Sequence, residues 1–216
     1  MRKEKKQFRI VVFGLKGGSG KSTLVNILAD ILTIFKGQEV SIVEVDPQET
    51  LLNSYKTGFS NRHKPVIEPR ANKPIVIYDT AGYKDSNIER ILRKADIILM
   101  PVQLSQKDVL ALTQALSIGS DGLITSSLMR KKTWVIFNRI RKPYNSLYKK
   151  YKPMFIDYIN SVGDINITKT ELSALNAFED ITGSDETTLN ETKGKRALKE
   201  ALSLLNELPI KIDKQK

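Results

Sequence analysis

The chain has 216 residues and carries 35 Lys and Arg against 24 Asp and Glu, a net charge of +11. It has no cysteine and one histidine, which excludes disulfide frameworks, thiolate zinc sites, cysteine-held iron–sulfur clusters and a His-rich metal centre. Hydrophobic residues at 40% suffice for a core, so one folded domain over residues 1–216 is expected, and the surplus charge asks for an anionic partner.

Met1 to Gln7 is basic, and the apolar stretch after it is broken by Arg9 and Gly14, too short for a signal or a membrane span. The chain therefore reads as soluble and cytosolic. Phe8 to Phe13 is short, apolar and β-branched, a buried strand that ends in glycines. Ser22 to Phe35 places Leu24, Ile27, Leu28, Ile31 and Leu32 at helical spacing, and Gly37 closes that helix. Glu39 to Val45, Pro74 to Tyr78 and Ile97 to Met100 read as strands. Lys107 to Ile118 is helical, Thr133 to Phe137 is a strand, and Ser146 to Val162 is a long helix with a basic face. Ile165 to Thr168 is a weaker strand and Lys193 to Glu207 a closing helix, while Asn53 to Lys73 and Thr182 to Thr192 are the least regular segments. Strands alternating with helices predict an α/β fold, a mainly parallel twisted sheet with helices on both faces.

The strongest signal is Lys16-Gly17-Gly18-Ser19-Gly20-Lys21-Ser22-Thr23, set between the first strand and the first helix. Glycines let such a loop wrap tightly with its N–H groups inward, and the helix N-terminus adds its positive end. Lys21 can reach the β- and γ-phosphates of a nucleotide, and the Ser22 hydroxyl can ligate Mg²⁺.

A strict phosphate loop would have glycine where Leu15 stands; the match is to KGGxGK[ST], with an extra lysine at Lys16. Here the chain resembles the ParA/MinD family of deviant Walker ATPases, and most closely the small ParA-type partition proteins. Glu44-Val45-Asp46-Pro47-Gln48 resembles the DxDPQ motif, with Glu44 in place of its first Asp, and the resemblance implies that Asp46 helps place the attacking water or the Mg²⁺ shell. Ile75 to Gly82 resembles a Walker B strand, whose Asp79 would hold Mg²⁺; Ala81-Gly82 stands where many members have Pro-Pro. Ala95 through Pro101 to Asp108 resembles the next strand and loop of the family, and Val135 to Arg139 the strand that ends in the adenine-reading residue, here Asn138 followed by Arg139. The resemblance further implies that Lys16 crosses to a neighbouring subunit, so that two ATP molecules are sandwiched in a homodimer and hydrolysis is slow and gated by dimerisation.

From Arg130 to Lys152 there are nine basic residues and no acid: Arg130, Lys131, Lys132, Arg139, Arg141, Lys142, Lys149, Lys150 and Lys152. Such a stretch can neutralise phosphates along DNA without reading its sequence, each one steepening the salt dependence by about 0.9 log units. Tyr144, Tyr148 and Tyr151 are interleaved and suit core packing better than base stacking. The closing helix is amphipathic, but it lacks Trp and Phe and is followed by a polar tail, so packing on the sheet is expected rather than membrane binding. With no helix-turn-helix segment ahead of the first strand, sequence-specific repression is not expected, and His63 is given no role. The resemblance thus implies plasmid or chromosome partition by an ATP dimer that binds DNA non-specifically and is stimulated by a centromere-bound ParB-type partner. The alternatives are a MinD-like positioning ATPase on a membrane and a ParA-like accessory ATPase of conjugative transfer or cargo positioning.

Overall fold

A computed structural model describes residues 7–45, 66, 71–83, 86–117, 122–141, 143–175, 178 and 194–210. The elements are β1 (Phe8–Val12), α1 (Lys21–Asp30), β2 (Val40–Glu44), β3 (Ile75–Asp79), α2 (Ser86–Lys94), β4 (Ile97–Val102), α3 (Gln106–Leu116), α4 (Ser127–Lys131), β5 (Thr133–Phe137), α5 (Ser146–Val162), β6 (Asn166–Ile167) and α6 (Lys195–Glu207). All six strands pair in parallel, in the order β2-β3-β1-β4-β5-β6. Parallel neighbours need crossovers, and helices on both faces supply them.

Alternation along β1 sorts the core into two layers. Ile10 and Val12 face α1 and α6, packing with Leu24, Leu28, Ala201 and Leu204. Val11 and Phe13 face the other way, toward Ile88, Leu92, Leu112, Phe155 and Ile159 of α2, α3 and α5. Both faces of the sheet are therefore covered, which is why its strands read as nearly continuous apolar runs. The closing helix packs on the sheet as expected: Ala197, Ala201, Leu204 and Leu205 are buried. Among the described residues, no helix is long and apolar enough to cross a membrane.

Three local departures from the sequence reading have physical causes. β4 runs two residues past Met100, because Pro101 stands close to its carboxyl end and the ladder continues on either side of it. The first helix ends in a π turn over Ile31–Phe35, closed where Gly37 adopts φ 61° and its N–H reaches Thr33 O at 3.1 Å. α2 and the short α4 are helices absent from the sequence reading; the buried stripe of α2 has only Ile88, Ile91 and Leu92, set among charged and polar residues, and α4 buries only Met129.

Candidate functional site

The sheet positions the loop. β1 lies between β3 and β4, and the chain leaves its carboxyl end for α1 at the point where strand order reverses, the place where open α/β sheets bind ligands. Val12, the last residue of β1, pairs with Asp79 on one side and Leu99 on the other. Lys16 to Thr23 fills the gap that follows. Gly18 (φ 73°) and Gly20 (φ 94°) take left-handed conformations that a side chain would strain. Gly20 caps α1 without a side-chain bond, and no acid stands in the first turn of that helix. Ser22 and Thr23 are half-buried there.

Buried polar groups line this cradle. Ser19 is 3% exposed, and its Oγ meets no hydrogen-bond partner among the described residues. Lys21 is buried, and its Nζ donates to the Lys16 carbonyl at 3.0 Å, so the loop folds over its own ammonium. Glycine backbone, uncapped helix end, orphaned hydroxyl and buried ammonium together have the chemistry of an anion seat.

Residues just past β4 and β5 and at the start of α3 hold the loop from outside. Gln103 Nε2 donates to Gly18 O at 2.6 Å, and Asn138 Nδ2 donates to Ser19 O at 3.0 Å. Lys16 Nζ forms an ion pair of 2.6 Å with Asp108 Oδ2. Asp108 is almost fully buried and also accepts the Gln103 N–H at 3.1 Å and the Ser105 hydroxyl. In this single chain Lys16 is thus held by an aspartate of its own chain. Gly82 lies so close that a Cβ there would stand 3.3 Å from Gly17 N and 3.3 Å from the Lys16 carbonyl carbon.

Asp79 is 1% exposed at the end of β3, beside Glu44 at the end of β2. Thr80 Oγ1 donates to Val12 O at 2.9 Å, tying the end of β3 to the start of the loop. Asp79, Ser22 and the loop lysines therefore gather at one end of the sheet. Asp46 lies outside the described residues, as do the segments Asn53 to Pro65 and Thr182 to Thr192.

The basic stretch is not one surface. Arg130, Lys131 and Lys132 precede β5, whereas Arg139 and Arg141 follow it, about 16 Å away along a five-residue strand. Three of the cations are spent inside the molecule. Arg130 Nη1 donates to Val162 O at 3.2 Å, Lys132 Nζ to Ala95 O at 2.8 Å, and Lys152 Nζ to Glu171 Oε1 at 2.8 Å. Burial pulls the Lys152 ammonium down, but the Glu171 carboxylate and the Tyr148 hydroxyl outweigh it and hold it above the usual lysine value. Lys131, Arg139, Arg141, Lys149 and Lys150 are exposed; Lys142 lies outside the described residues. Tyr148 and Tyr151 pack against the core, while Tyr144 stacks on Tyr148 at 3.9 Å and stays half in water.

Two residues of the site carried no assigned role in the sequence reading. Asp108 follows Ser105 by three positions, a capping-box spacing that marks a helix start and says nothing of Lys16. Gln103 carries no motif at all.

A parallel sheet with a glycine–lysine loop leaving its central strand into a helix defines the P-loop α/β class. Residues 10–174 match the family model described as the CobQ/CobB/MinD/ParA nucleotide binding domain, and the chain belongs to that family. A curated relative, "Protein ParA" of Rhizobium radiobacter, is 26% identical over 122 residues, which is 50% of this chain and 54% of the relative; the chain thus matches about half the length of that protein. Among solved structures, a putative plasmid partition protein of Borrelia burgdorferi bound to AMPPNP superposes with a TM-score of 0.60 at 16% identity, covering 94% of this chain and 100% of that one. The pNOB8 ParA bound to nonspecific DNA does so with a TM-score of 0.59 at 14% identity, covering 94% and 100%. At these identities the superpositions show the fold.

Proposed function

We propose that the chain is a ParA-type ATPase of plasmid or chromosome partition, one that dimerises around ATP and binds DNA without sequence preference. The observation that carries this reading is the pairing of two loop lysines. Lys21 is buried in the cradle, and Lys16 is parked on Asp108 at its rim. One lysine would serve a nucleotide in its own chain; the second, 26% exposed, has a route outward.

The cradle fits a triphosphate, since its orphaned Ser19 hydroxyl gains a partner there and its buried ammonium can turn to a phosphate oxygen. In this reading Gly17 to Thr23 wrap the phosphates and Lys21 exchanges the Lys16 carbonyl for a phosphate oxygen. Ser22, Asp79 and Asp46 offer the hard oxygen ligands that suit Mg²⁺. MgATP, when bound, supplies the phosphoanhydride bond and the negative charge to be neutralised. Lys16 would leave Asp108 and act across the dimer as a cation supplied in trans, stabilising charge as hydrolysis proceeds. In this reading Arg139, exposed just past β5, and the buried Asn138 before it would lie toward the base. The exposed cations Arg141, Lys149 and Lys150, with Lys142, would meet DNA phosphates, and a centromere-bound ParB-type protein would stimulate turnover.

The pNOB8 ParA bound to nonspecific DNA supports this assignment by analogy of fold, and the buried apolar face of α6 argues against a membrane helix. The test is DNA co-sedimentation with and without MgATP across a salt series, with anionic liposomes in parallel. ATP-dependent, salt-sensitive DNA binding is expected. Binding to liposomes alone would move the assignment to a MinD-like role, and DNA binding indifferent to both ATP and salt would refute it.

A further inference from the structure

The Asn138 amide is already committed at both ends. Its Nδ2 donates to the Ser19 carbonyl at 3.0 Å, and its Oδ1 accepts the Arg139 N–H at 2.9 Å. Arg139 itself stands at φ 56°, a left-handed turn just past the strand. The residue is 6% exposed. The Arg139 contact fixes which end of the amide is oxygen, and so points the nitrogen at the loop. A Cβ at Gly20 would fall 2.2 Å from that nitrogen, so the amide fills the space that any side chain at position 20 would need.

The peptide plane turns this contact into an instruction. In a trans peptide the C=O and the following N–H point in opposite directions. Holding the Ser19 carbonyl toward Asn138 therefore aims the Gly20 N–H the other way, toward the inner side of the cradle. Gly20, which can flip more freely than any other residue type, is the place where the loop most needs such a restraint.

We propose that Asn138 is a positioning residue for the phosphate loop: it fixes the Ser19–Gly20 peptide so that the loop's N–H groups face the phosphates before any nucleotide arrives. This rests on the phosphate-binding reading of the loop and changes what Asn138 does within it. A reader of the base would act on the base alone; a tether of the loop acts on every ligand that carries the phosphate chain.

The test compares wild type with Asn138→Ala and Asn138→Asp. Asn138→Asp keeps size and the acceptor for the Arg139 N–H but trades the donor for a charge that itself repels phosphates, so for that variant the readout is loop hydrogen exchange without ligand, which reports even if the alanine variant folds poorly. Calorimetry with MgATP, MgGTP and magnesium tripolyphosphate is expected to show all three affinities falling together, by about tenfold, as for loss of one buried hydrogen bond. Hydrogen exchange of the nucleotide-free protein is expected to be faster at the amides of Gly18 to Lys21. A loss of ATP affinity with tripolyphosphate affinity and loop exchange unchanged would overturn the proposal and return Asn138 to the base. If wild type binds none of the three ligands, the phosphate reading fails. The tether then stands or falls on exchange alone: faster exchange upholds it and unchanged exchange overturns it.

Discussion

The pair of Lys16 and Asp108 offers the sharpest quantitative test, because its two members are buried so unequally: the side chains are 26% and 2% exposed. At 2.6 Å and an effective dielectric near 20, their Coulomb attraction is about 6 kcal/mol before desolvation. Burying the carboxylate takes back most of that, leaving the about 2 kcal/mol typical of a charge-assisted hydrogen bond. The two single replacements should not cost the same. Asp108→Asn frees a lysine that can rehydrate, and should cost about 2 kcal/mol. Lys16→Met strands a buried carboxylate with only the Gln103 N–H and the Ser105 hydroxyl for company, and should cost about 3 kcal/mol or more. For a chain of this length these are losses of roughly 4–8 °C and 6–12 °C in Tm. The double variant removes both charges and should lose about 1.5 kcal/mol less than the sum of the singles. Urea unfolding of the four proteins measures this cycle. Single costs that add to within about 0.4 kcal/mol would mean that the pair does not exist in solution. Under the proposed function, Asp108→Asn also lowers the ATP concentration needed to dimerise, whereas Lys16→Ala keeps some ATP binding and loses the dimer in sedimentation.

Gly20→Ala meets both a left-handed φ and the Asn138 amide, and should cost at least about 2 kcal/mol in thermal melting, while Gly17→Ala, with nothing within 4 Å of its Cβ position, should leave the fold within about 0.5 kcal/mol of wild type. The Lys152 ammonium is raised, so its contribution to stability is complete below the unfolded lysine value of about 10.4 and is lost as pH climbs through the folded one. Wild type should therefore lose urea stability as pH rises above about 10.4, and Glu171→Gln should start lower at pH 8 and lose less over the same rise; parallel curves would count against the pair. For DNA, reversing Arg141 and Lys149 to Glu should flatten the plot of log affinity against log salt by about 1.8, two phosphate contacts' worth. The same reversal at Arg130 and Lys132 should show itself mainly as lost stability, because those side chains hold Val162 O and Ala95 O.

Short-range signals were legible in the sequence. β1, β5 and α5 stand where apolar runs and 3.6-residue spacing put them, and the glycine–lysine loop announces the seat beside the central strand. Weak amphipathic patterns were not: α2 buries three residues out of nine, too thin a stripe to stand out from charged surroundings. Pairings between distant residues were invisible as well. Nothing at Asn138 says that its amide will meet Ser19, 119 positions earlier, and nothing at Asp108 says that it will hold Lys16. The basic stretch misled in a related way. Nine cations close in sequence look like one patch, but a strand runs through the middle and carries its two halves to opposite ends of the parallel strands. Contiguity along the chain means contiguity in space only within one element.

The three ties on the loop also set an order of assembly. Gly18, Lys16 and Ser19 are fastened by Gln103, Asp108 and Asn138, at separations of 85, 92 and 119 residues. Contacts closed over such distances carry a large entropic cost and form after the local ones. During synthesis the loop is among the first segments to emerge, yet these three ties cannot close until the ends of β4 and β5 and the start of α3 have left the ribosome and docked. A nascent chain that stops short of Asn138 would carry the whole glycine–lysine motif and still lack a rigid cradle. If the ties set the cradle as proposed, full affinity for a nucleotide is deferred until most of the sheet is built, and half-made chains compete for ligand less well than finished ones.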